Sequence, residues 1–298
     1  RWKTGLIIVT ILMFIFTPLT FVLALTNPVS DCGCFGDAIH LTNWQTFWKN
    51  IILLVPSVWL LINRNRIISP YGIARGYAFL SIIAVLFVAF NFYNLRYLPV
   101  IDFLPYKTGT FIPDKMKIPE GKSPDVYQTT FIYEKGGEKK EFDINNYPAN
   151  DTSWKFIDQK SVLVSRGYQP PIHDLIITSM NNDDLTQQIL SSDRYTVLMI
   201  SRKITEADPG LLRKGYELGY YCMGNSVDFY VLTESGSDEV RKINNGLNWC
   251  VVDETTLKTM IRSNPGYILM KQGTVIHKWS WASLPKKEAI LDIISNTK

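Results

Sequence analysis

The sequence contains few cysteines, and its first third contains few charges. Four cysteines stand among 298 residues, which is too few for a small fold stapled by disulfides, and a chain of this length can bury a core without them. Residues 1–96 hold two acidic and seven basic residues, whereas residues 97–298 hold 25 acidic and 24 basic ones. The second part therefore lacks the basic excess that phosphate binding needs, and we expect no nucleic-acid partner.

Several catalytic and ligand-binding patterns are also missing. The sequence has no glycine-rich phosphate loop and no nucleophile elbow, so nucleotide-dependent and serine-hydrolase chemistry are not indicated. The three histidines, His40, His173 and His277, are far apart, and none pairs with a cysteine at the spacing of a metal site. We therefore predict no metal centre from these patterns.

Three uncharged apolar runs dominate the first third, at residues 5–25, 51–62 and 76–95. The first and third are long enough to cross a hydrocarbon core of about 30 Å as helices. The second reaches that length if Trp44, Phe47 and Trp48 form an interfacial belt. The runs predict an α-helical membrane bundle of three visible spans, with the lipid bilayer as its partner.

Basic residues around these runs predict an orientation. Arg1 and Lys3 precede the first run, residues 63–75 contain three arginines and no acid, and residues 26–43 contain no Lys or Arg. The positive-inside bias places residue 1 and residues 63–75 in the cytoplasm. We therefore expect a bacterial inner-membrane protein whose residues 97–298 are periplasmic, where disulfides persist.

Two cysteines lie between the first two runs. Cys32 and Cys34 are separated by Gly33 and followed by Gly36, and glycine tolerates the backbone that a ring between residues i and i+2 requires. Such a ring lies far from relaxed disulfide geometry and should be easily reduced, which favours a redox pair. Two alternatives stay open: free thiols or a fixed bridge in a tight loop, and a metal site, for which two thiolates supply half of a zinc set.

Beyond residue 96 the pattern changes twice. Residues 97–169 are rich in proline and glycine at first and then predict a β-hairpin, so we interpret them as a linker and hairpin region. Residues 170–298 alternate between strand and helix patterns and end with a hairpin and a helix, which predicts an α/β sheet. The predicted elements are strands at 195–201, 227–233, 248–252, 267–271 and 274–279 and helices at 209–222, 238–244, 255–262 and 286–295.

The order of these elements, with Ser263-Asn264-Pro265-Gly266 before the hairpin, resembles the thioredoxin-like fold of the redoxin group over residues 170–298. The resemblance implies that Pro265 is the cis-proline of that fold. It also implies a Cys-x-x-Cys pair after the first strand, but residues 202–206 contain no cysteine. Because a thiolate is the nucleophile of thiol exchange, we expect that this domain cannot catalyse exchange by itself.

Cys222 and Cys250 are the remaining thiols. Three interpretations stay open for them: inert buried thiols, a bridge between the two, or a second thiol pair that exchanges with Cys32 and Cys34. Free buried cysteines ordinarily behave as small apolar residues, which favours the first interpretation.

The segment Cys32-Gly33-Cys34-Phe35-Gly36-Asp37 between two spans resembles the DoxX/MauE group of bacterial membrane proteins, over about residues 1–96. The resemblance implies a redox association: disulfide formation during methylamine dehydrogenase maturation for the MauE branch, and quinone-linked thiosulfate oxidation for the DoxX branch. A membrane quinone is therefore the candidate electron carrier. The group usually has at least four helices, so the resemblance also implies further sequence before Arg1.

Three functions follow from these patterns. The first is a relay in which Cys32 and Cys34 exchange disulfides with a periplasmic or membrane protein partner and pass electrons to a membrane carrier. The second is a client-binding or assembly subunit that uses a thioredoxin-like domain without turnover. The third is a structural membrane subunit. The paired cysteines favour the relay, and the missing Cys-x-x-Cys favours the binding subunit.

Overall fold

The computed structural model describes residues 2–27, 39, 41–66, 72–143, 146–148, 151–165, 167–243 and 246–296. The chain divides into two compact units, Arg1–Leu104 and Pro105–Lys298.

The first unit contains three helices, α1 (Trp2–Thr26), α2 (Asn43–Ile62) and α3 (Ile73–Arg96). All three are long and apolar enough to cross a membrane, which confirms the three predicted spans. Helix α2 begins earlier than its uncharged run because Thr42 caps it: the Thr42 side chain accepts a hydrogen bond from the Gln45 backbone, and the Gln45 side chain accepts one from the Thr42 backbone. This capping box satisfies two backbone donors at the helix start.

The second unit contains a small antiparallel sheet with strand order β2-β1-β3. Its strands are β1 (Val126–Lys135), β2 (Glu138–Asp143) and β3 (Lys155–Ser165). The turn between β1 and β2 uses Gly136 and Gly137, whose φ angles are 61° and 89° and therefore favour glycine. The predicted hairpin is thus present, and β3 completes the sheet.

A six-stranded mixed sheet forms the rest of the unit, with order β4-β7-β6-β5-β8-β9. Strands β5, β6 and β7 are parallel, and β4, β8 and β9 run antiparallel to their neighbours. The strands are β4 (Thr178–Ser179), β5 (Tyr195–Ile200), β6 (Asp228–Thr233), β7 (Asn248–Val251), β8 (Gly266–Lys271) and β9 (Thr274–Ser280). The helices are α4 (Ile112–Met116), α5 (Thr186–Ser191), α6 (Pro209–Gly224), α7 (Ser237–Ile243), α8 (Glu254–Met260) and α9 (Lys287–Asn296). This order is that of a thioredoxin-like fold, as predicted.

One face of the sheet packs against α6, α7 and α9. Val197, Phe229 and Trp249 of the strands share one apolar cluster with Leu212 of α6 and Ile290 of α9. Helix α6 approaches the sheet closely because it carries glycine at the contact points. A Cβ atom at Gly215 would lie 2.6 Å from the Met199 side chain, and one at Gly219 would lie 2.7 Å from Phe229.

The segment before the small sheet is not a free linker, which corrects the sequence interpretation of residues 97–169. The Gly109 backbone donates to the Val275 carbonyl at 2.8 Å, and the Ile112 backbone donates to the Gly273 carbonyl at 2.8 Å. Tyr106 and Ile112 are each 1% exposed. The segment therefore extends the sheet beside β9, and its apolar residues are part of the core.

Candidate functional site

The loops that follow β5, β6 and β7 meet at one edge of the main sheet, because the carboxyl ends of parallel strands lie together. Ligand sites in open α/β sheets form at this edge. The loop before β8 reaches the same edge, since β8 runs antiparallel to β5 and Gly266 pairs with Ile200. We call this group of loops the sheet-edge site, and it comprises residues 201–206, 234–236, 252–254 and 262–265.

The loop before β8 carries the predicted cis-proline. The peptide bond between Asn264 and Pro265 is cis, as the resemblance implied, and the proline stands directly before β8, which pairs with β5. The Ser263 hydroxyl donates to the Pro265 carbonyl at 2.6 Å and accepts a hydrogen bond from the Trp281 backbone at 3.1 Å. These bonds fix the loop on the side of β9.

The loop after β5 occupies the place of the expected cysteine pair, and it is held by hydrogen bonds instead. The Arg202 backbone donates to the Asn264 side-chain oxygen at 3.1 Å. The Arg202 carbonyl accepts from the Thr233 hydroxyl at 3.0 Å and from the Glu234 backbone at 2.8 Å. The loop is thus tied both to the proline loop and to the end of β6, and Arg202 is half-buried.

Lys203 lies at the centre of a charged network. Its ammonium nitrogen is 3.7 Å from a carboxylate oxygen of Glu206, 3.9 Å from one of Glu234 and 4.0 Å from one of Glu254. Lys258 also pairs with Glu254 at 2.9 Å, and this hydrogen bond, more than the nearby charges, lowers the pKa of Glu254. The side chains of Lys203, Glu206 and Glu234 are partly exposed, so the pairs of Lys203 with Glu206 and Glu234 contribute about 0–1 kcal/mol each. A lysine among carboxylates can donate hydrogen bonds, but it supplies no thiol for exchange.

Cys222 and Cys250 are free thiols, and they lie on opposite faces of the main sheet. Cys222 belongs to the apolar cluster that also contains Trp249. Cys250 follows Trp249 in β7, and successive side chains of a strand point to opposite faces. A bridge between the two thiols would therefore have to pass through the sheet. Of the three interpretations that the sequence left open, the structure agrees with two separate buried thiols and not with a bridge.

Burial also removes the reactivity of these two thiols. Cys222 and Cys250 are 0% and 1% exposed. Burial raises the pKa of each thiol to about 12, because an apolar environment disfavours the charged thiolate. Since only the thiolate attacks a disulfide, neither cysteine is suited to exchange.

The pair α1 and α2 meets along a polar seam inside the membrane-spanning part. The Asn50 side chain donates to the Thr20 hydroxyl at 3.0 Å, and the Thr10 hydroxyl approaches the Ser57 carbonyl at 3.4 Å. The buried polar residues of the seam are Thr10, Thr17, Thr20, Asn43, Thr46, Asn50 and Ser57. Their spacing of three, four or seven residues places them on one side of each helix. Small and polar residues of this kind hold membrane helices together.

The seam ends at the loop that carries the paired cysteines. Asn27 follows α1, and its side-chain oxygen accepts a hydrogen bond from the Asn43 amide at 2.8 Å. Residues 28–38 lie outside the described part of the chain. The predictions for Cys32, Gly33, Cys34 and Gly36 fall there, and they stay predictions.

Sequence reasoning missed both the polar seam and the Lys203 network. The seam has a sequence signal, since the recurrence of Thr and Asn at heptad spacing inside apolar runs predicts a helix contact. The network has none, because Glu206, Glu234 and Glu254 come from three separate loops. In the described ranges, no group of three or more His, Cys, Asp or Glu side chains could hold a metal ion.

Two family models match parts of the chain. The model for methylamine utilisation protein MauE matches residues 2–63, which include α1, α2 and the loop with Cys32 and Cys34. A domain of unknown function (DUF8463) matches residues 127–166, which cover the small sheet. No curated protein is similar enough to count as a match.

Solved structures similar to the chain include three bacterial proteins. The pneumococcal exposed lipoprotein thioredoxin of Streptococcus pneumoniae is 12% identical, with 41% of this chain and 98% of that chain covered and a TM-score of 0.34. StoA of Bacillus subtilis is 11% identical, with 40% and 95% covered and a TM-score of 0.31. A secreted Mycobacterium tuberculosis disulfide oxidoreductase homologous to E. coli DsbE is 10% identical, with 41% and 96% covered and a TM-score of 0.32. The match to the MauE model and the strand order of the main sheet show that the chain combines a MauE-like membrane segment with a domain of thioredoxin-like fold.

Proposed function

We propose that this membrane protein is a thiol–disulfide relay in which Cys32 and Cys34 are the exchanging pair. One observation carries the proposal: of the four cysteines, Cys222 and Cys250 are buried with raised pKa values. The loop at 201–206, where the fold would place a reactive thiol, has none. We therefore assign the thiol chemistry of this chain to Cys32 and Cys34.

The relay has two balanced steps. A partner dithiol attacks the Cys32–Cys34 disulfide, and the resulting mixed disulfide is resolved by the partner's second thiol. The partner leaves oxidised, and Cys32 and Cys34 are left as two thiols. In the second step these thiols give two electrons and two protons to a membrane quinone, which becomes a quinol, and the Cys32–Cys34 disulfide is restored.

The orientation that we propose places the exchanging loop outside the cytoplasm. Arg64 and Arg66 follow α2, and Lys3 lies at the start of α1, where its ammonium group donates to the Asn65 side chain at 2.7 Å. The positive-inside bias assigns this end of the helix pair to the cytoplasm of a bacterial inner membrane. The opposite end and the second unit would then be periplasmic.

Within this proposal the thioredoxin-like domain binds the partner without exchanging thiols with it. The sheet-edge site keeps the proline loop of the fold, and Lys203 with its three carboxylates replaces the reactive pair. The absence of a cysteine at residues 201–206 also favours a second candidate function, a client-binding or assembly subunit with no turnover. The two functions differ in whether Cys32 and Cys34 are needed for activity.

The test compares cysteine variants in the purified full chain. A peptide dithiol serves as the electron donor and a short-chain benzoquinone as the acceptor, and quinone reduction is followed by absorbance. The relay predicts that Cys32→Ser and Cys34→Ser each reduce the rate to the uncatalysed background, while Cys222→Ala and Cys250→Ala retain it. Equal rates in the unaltered protein and in the Cys32→Ser, Cys34→Ser double variant would contradict the relay and leave the client-binding subunit and the structural subunit as candidates.

A further inference from the structure

The residues that follow the third span form an exposed and largely apolar segment. Helix α3 ends at Arg96, and we call residues 97–103 the post-span segment. Three of its apolar side chains are strongly exposed: Val100 at 76%, Ile101 at 64% and Phe103 at 53%. Exposed apolar side chains that are grouped in this way mark a surface that binds a protein or a membrane.

The backbone of the post-span segment is not helical. Tyr97 ends α3 in an extended conformation, with φ −112° and ψ 170°. Pro99 follows two residues later and disfavours a helical conformation of Leu98, so the helix cannot resume there. Non-helical backbone does not lie exposed to lipid in the hydrocarbon core, because its N–H and C=O groups would have no hydrogen-bonding partners. The post-span segment therefore lies outside that core.

The side chains of the segment set the opposite limit. Val100, Ile101 and Phe103 would each expose apolar area to water if the segment extended away from the membrane. At the boundary of headgroups and acyl chains, water and headgroups can bind the backbone while the acyl chains cover the apolar side chains. Four residues separate Val100 from the end of α3, a distance of at most about 14 Å, so the segment can reach the boundary.

The polar residues around the segment agree with this depth. The ring of Tyr97 lies 5.1 Å from that of Tyr93 in the last turn of α3, and tyrosine collects at the boundary of lipid and water. The acid of the segment, Asp102, is half-buried, and its carboxylate accepts a hydrogen bond from the Leu104 backbone at 3.0 Å. The carboxylate is thus held beside the chain's own backbone.

We propose that the post-span segment binds the membrane surface, with Val100, Ile101 and Phe103 inserted where headgroups meet acyl chains. The bilayer is the occupant because the segment continues directly from a span whose end already lies at this boundary. The chain would then bind lipid through a segment that does not cross the membrane, in addition to its three helices. This lipid contact is independent of the proposed relay.

The experiment places a nitroxide label at one residue of the full chain in lipid nanodiscs. Cys32→Ser and Cys34→Ser remove the two sequence-paired thiols, and the two remaining cysteines are buried, so a single introduced cysteine takes the label. Electron paramagnetic resonance then measures collisions of the label with oxygen, which concentrates in lipid, and with a water-soluble nickel chelate.

Labels at Val100→Cys, Ile101→Cys and Phe103→Cys should each collide more with oxygen than with nickel. Val162→Cys is the matched control, because Val162 is also a strongly exposed valine, at 64%, but lies in β3. The label there should collide more with nickel than with oxygen.

A second pair of variants tests insertion itself. Ile101→Asp places a charge at the boundary, so it should move a label at residue 100 from oxygen collisions toward nickel collisions. Thr108→Asp places the same charge at an exposed residue outside the segment and should leave that label unchanged.

The other outcomes overturn the lipid contact. More nickel than oxygen collisions at all three positions, as at Val162, would show that the segment lies in water. Few collisions with either reagent would show that protein covers it, whether a second copy of the chain or another partner. A label at residue 100 that Ile101→Asp does not move would contradict insertion.

Discussion

The inertness of Cys222 and Cys250 can be tested by their alkylation rates. An ordinary thiol with a pKa of about 9 is roughly 10% thiolate at pH 8, whereas one with a pKa of about 12 is roughly 0.01% thiolate. Burial raises the pKa of both cysteines to about 12. The raised pKa alone should therefore slow alkylation about 1000-fold relative to the denatured protein.

Burial adds a second barrier, because the reagent must reach a sulfur atom that is at most 1% exposed. Reaction through transient unfolding is limited by the stability of the domain, and a stability of about 5 kcal/mol keeps the open fraction near 10⁻⁴. The two routes together predict that alkylation is at least about 1000-fold slower in the native protein.

The assay is mass spectrometry of the native full chain after timed exposure to iodoacetamide, with the urea-denatured chain as the reference. The native rate should rise about tenfold per pH unit between pH 8 and pH 10 if the thiolate in the folded state is the reacting species. Alkylation of Cys222 or Cys250 in the native protein within tenfold of the denatured rate would refute the argument. Both thiols would then return as candidates for exchange.

Three further predictions concern the helix pair, the charged network and the core. Asn50→Leu should weaken the association of α1 and α2 by about 0.6–1.7 kcal/mol, measured by steric trapping in lipid. Asn91→Leu is the control and should leave the association unchanged, since Asn91 is exposed and its amide donates to the Phe87 carbonyl within α3. Lys203→Met should cost at most about 2 kcal/mol in denaturant unfolding, because its pairs with Glu206 and Glu234 are partly exposed and contribute about 0–1 kcal/mol each, and a loss above about 3 kcal/mol would contradict this. Gly215→Ala should destabilise the domain by up to about 2 kcal/mol, since crowding outweighs the gain in helix propensity. Gly224→Ala, where a Cβ atom meets nothing within 4 Å, is the control and should not be destabilising.

The alternation of strands and helices was predictable because local patterns encode it. The strand at 195–201, the helix from residue 209 and the hairpin before the last helix agree with β5, α6 and the pair β8 and β9 within two residues. The periodicity of apolar residues predicts the type of each element, and glycine and proline indicate where the elements end. The membrane helices were predictable for the same reason, because their uncharged runs match the thickness of a bilayer.

The elements that the sequence did not predict depend on partners far along the chain. Strand β4 has only two residues and forms because it pairs with Cys250 and Val251 of β7. Residues 109–112 stand in a segment rich in proline and glycine, which in the sequence is typical of a linker. In the structure they form hydrogen bonds with β9, which lies more than 150 residues away. The Lys203 network likewise depends on three loops that only the folded sheet brings together.

The candidate redox site was predictable only in part. The missing thiol at residues 202–206 was visible in the sequence and points away from the thioredoxin-like domain as the site of exchange. The burial of Cys222 and Cys250 could not be predicted from the sequence, because a cysteine in an apolar pattern can be a core residue or a reactive one. The contact between Asn43 and Asn27 could not be predicted from the sequence either, because it depends on how α1 packs on α2.

The redox state of Cys32 and Cys34 in native membranes tests the central claim most directly. Membranes are alkylated with one reagent, reduced mildly and alkylated with a second, and the peptide containing both cysteines is weighed by mass spectrometry. The relay predicts a Cys32–Cys34 disulfide that takes the second reagent after reduction and forms again when a quinone is supplied. Two thiols that take only the first reagent under every condition would contradict it.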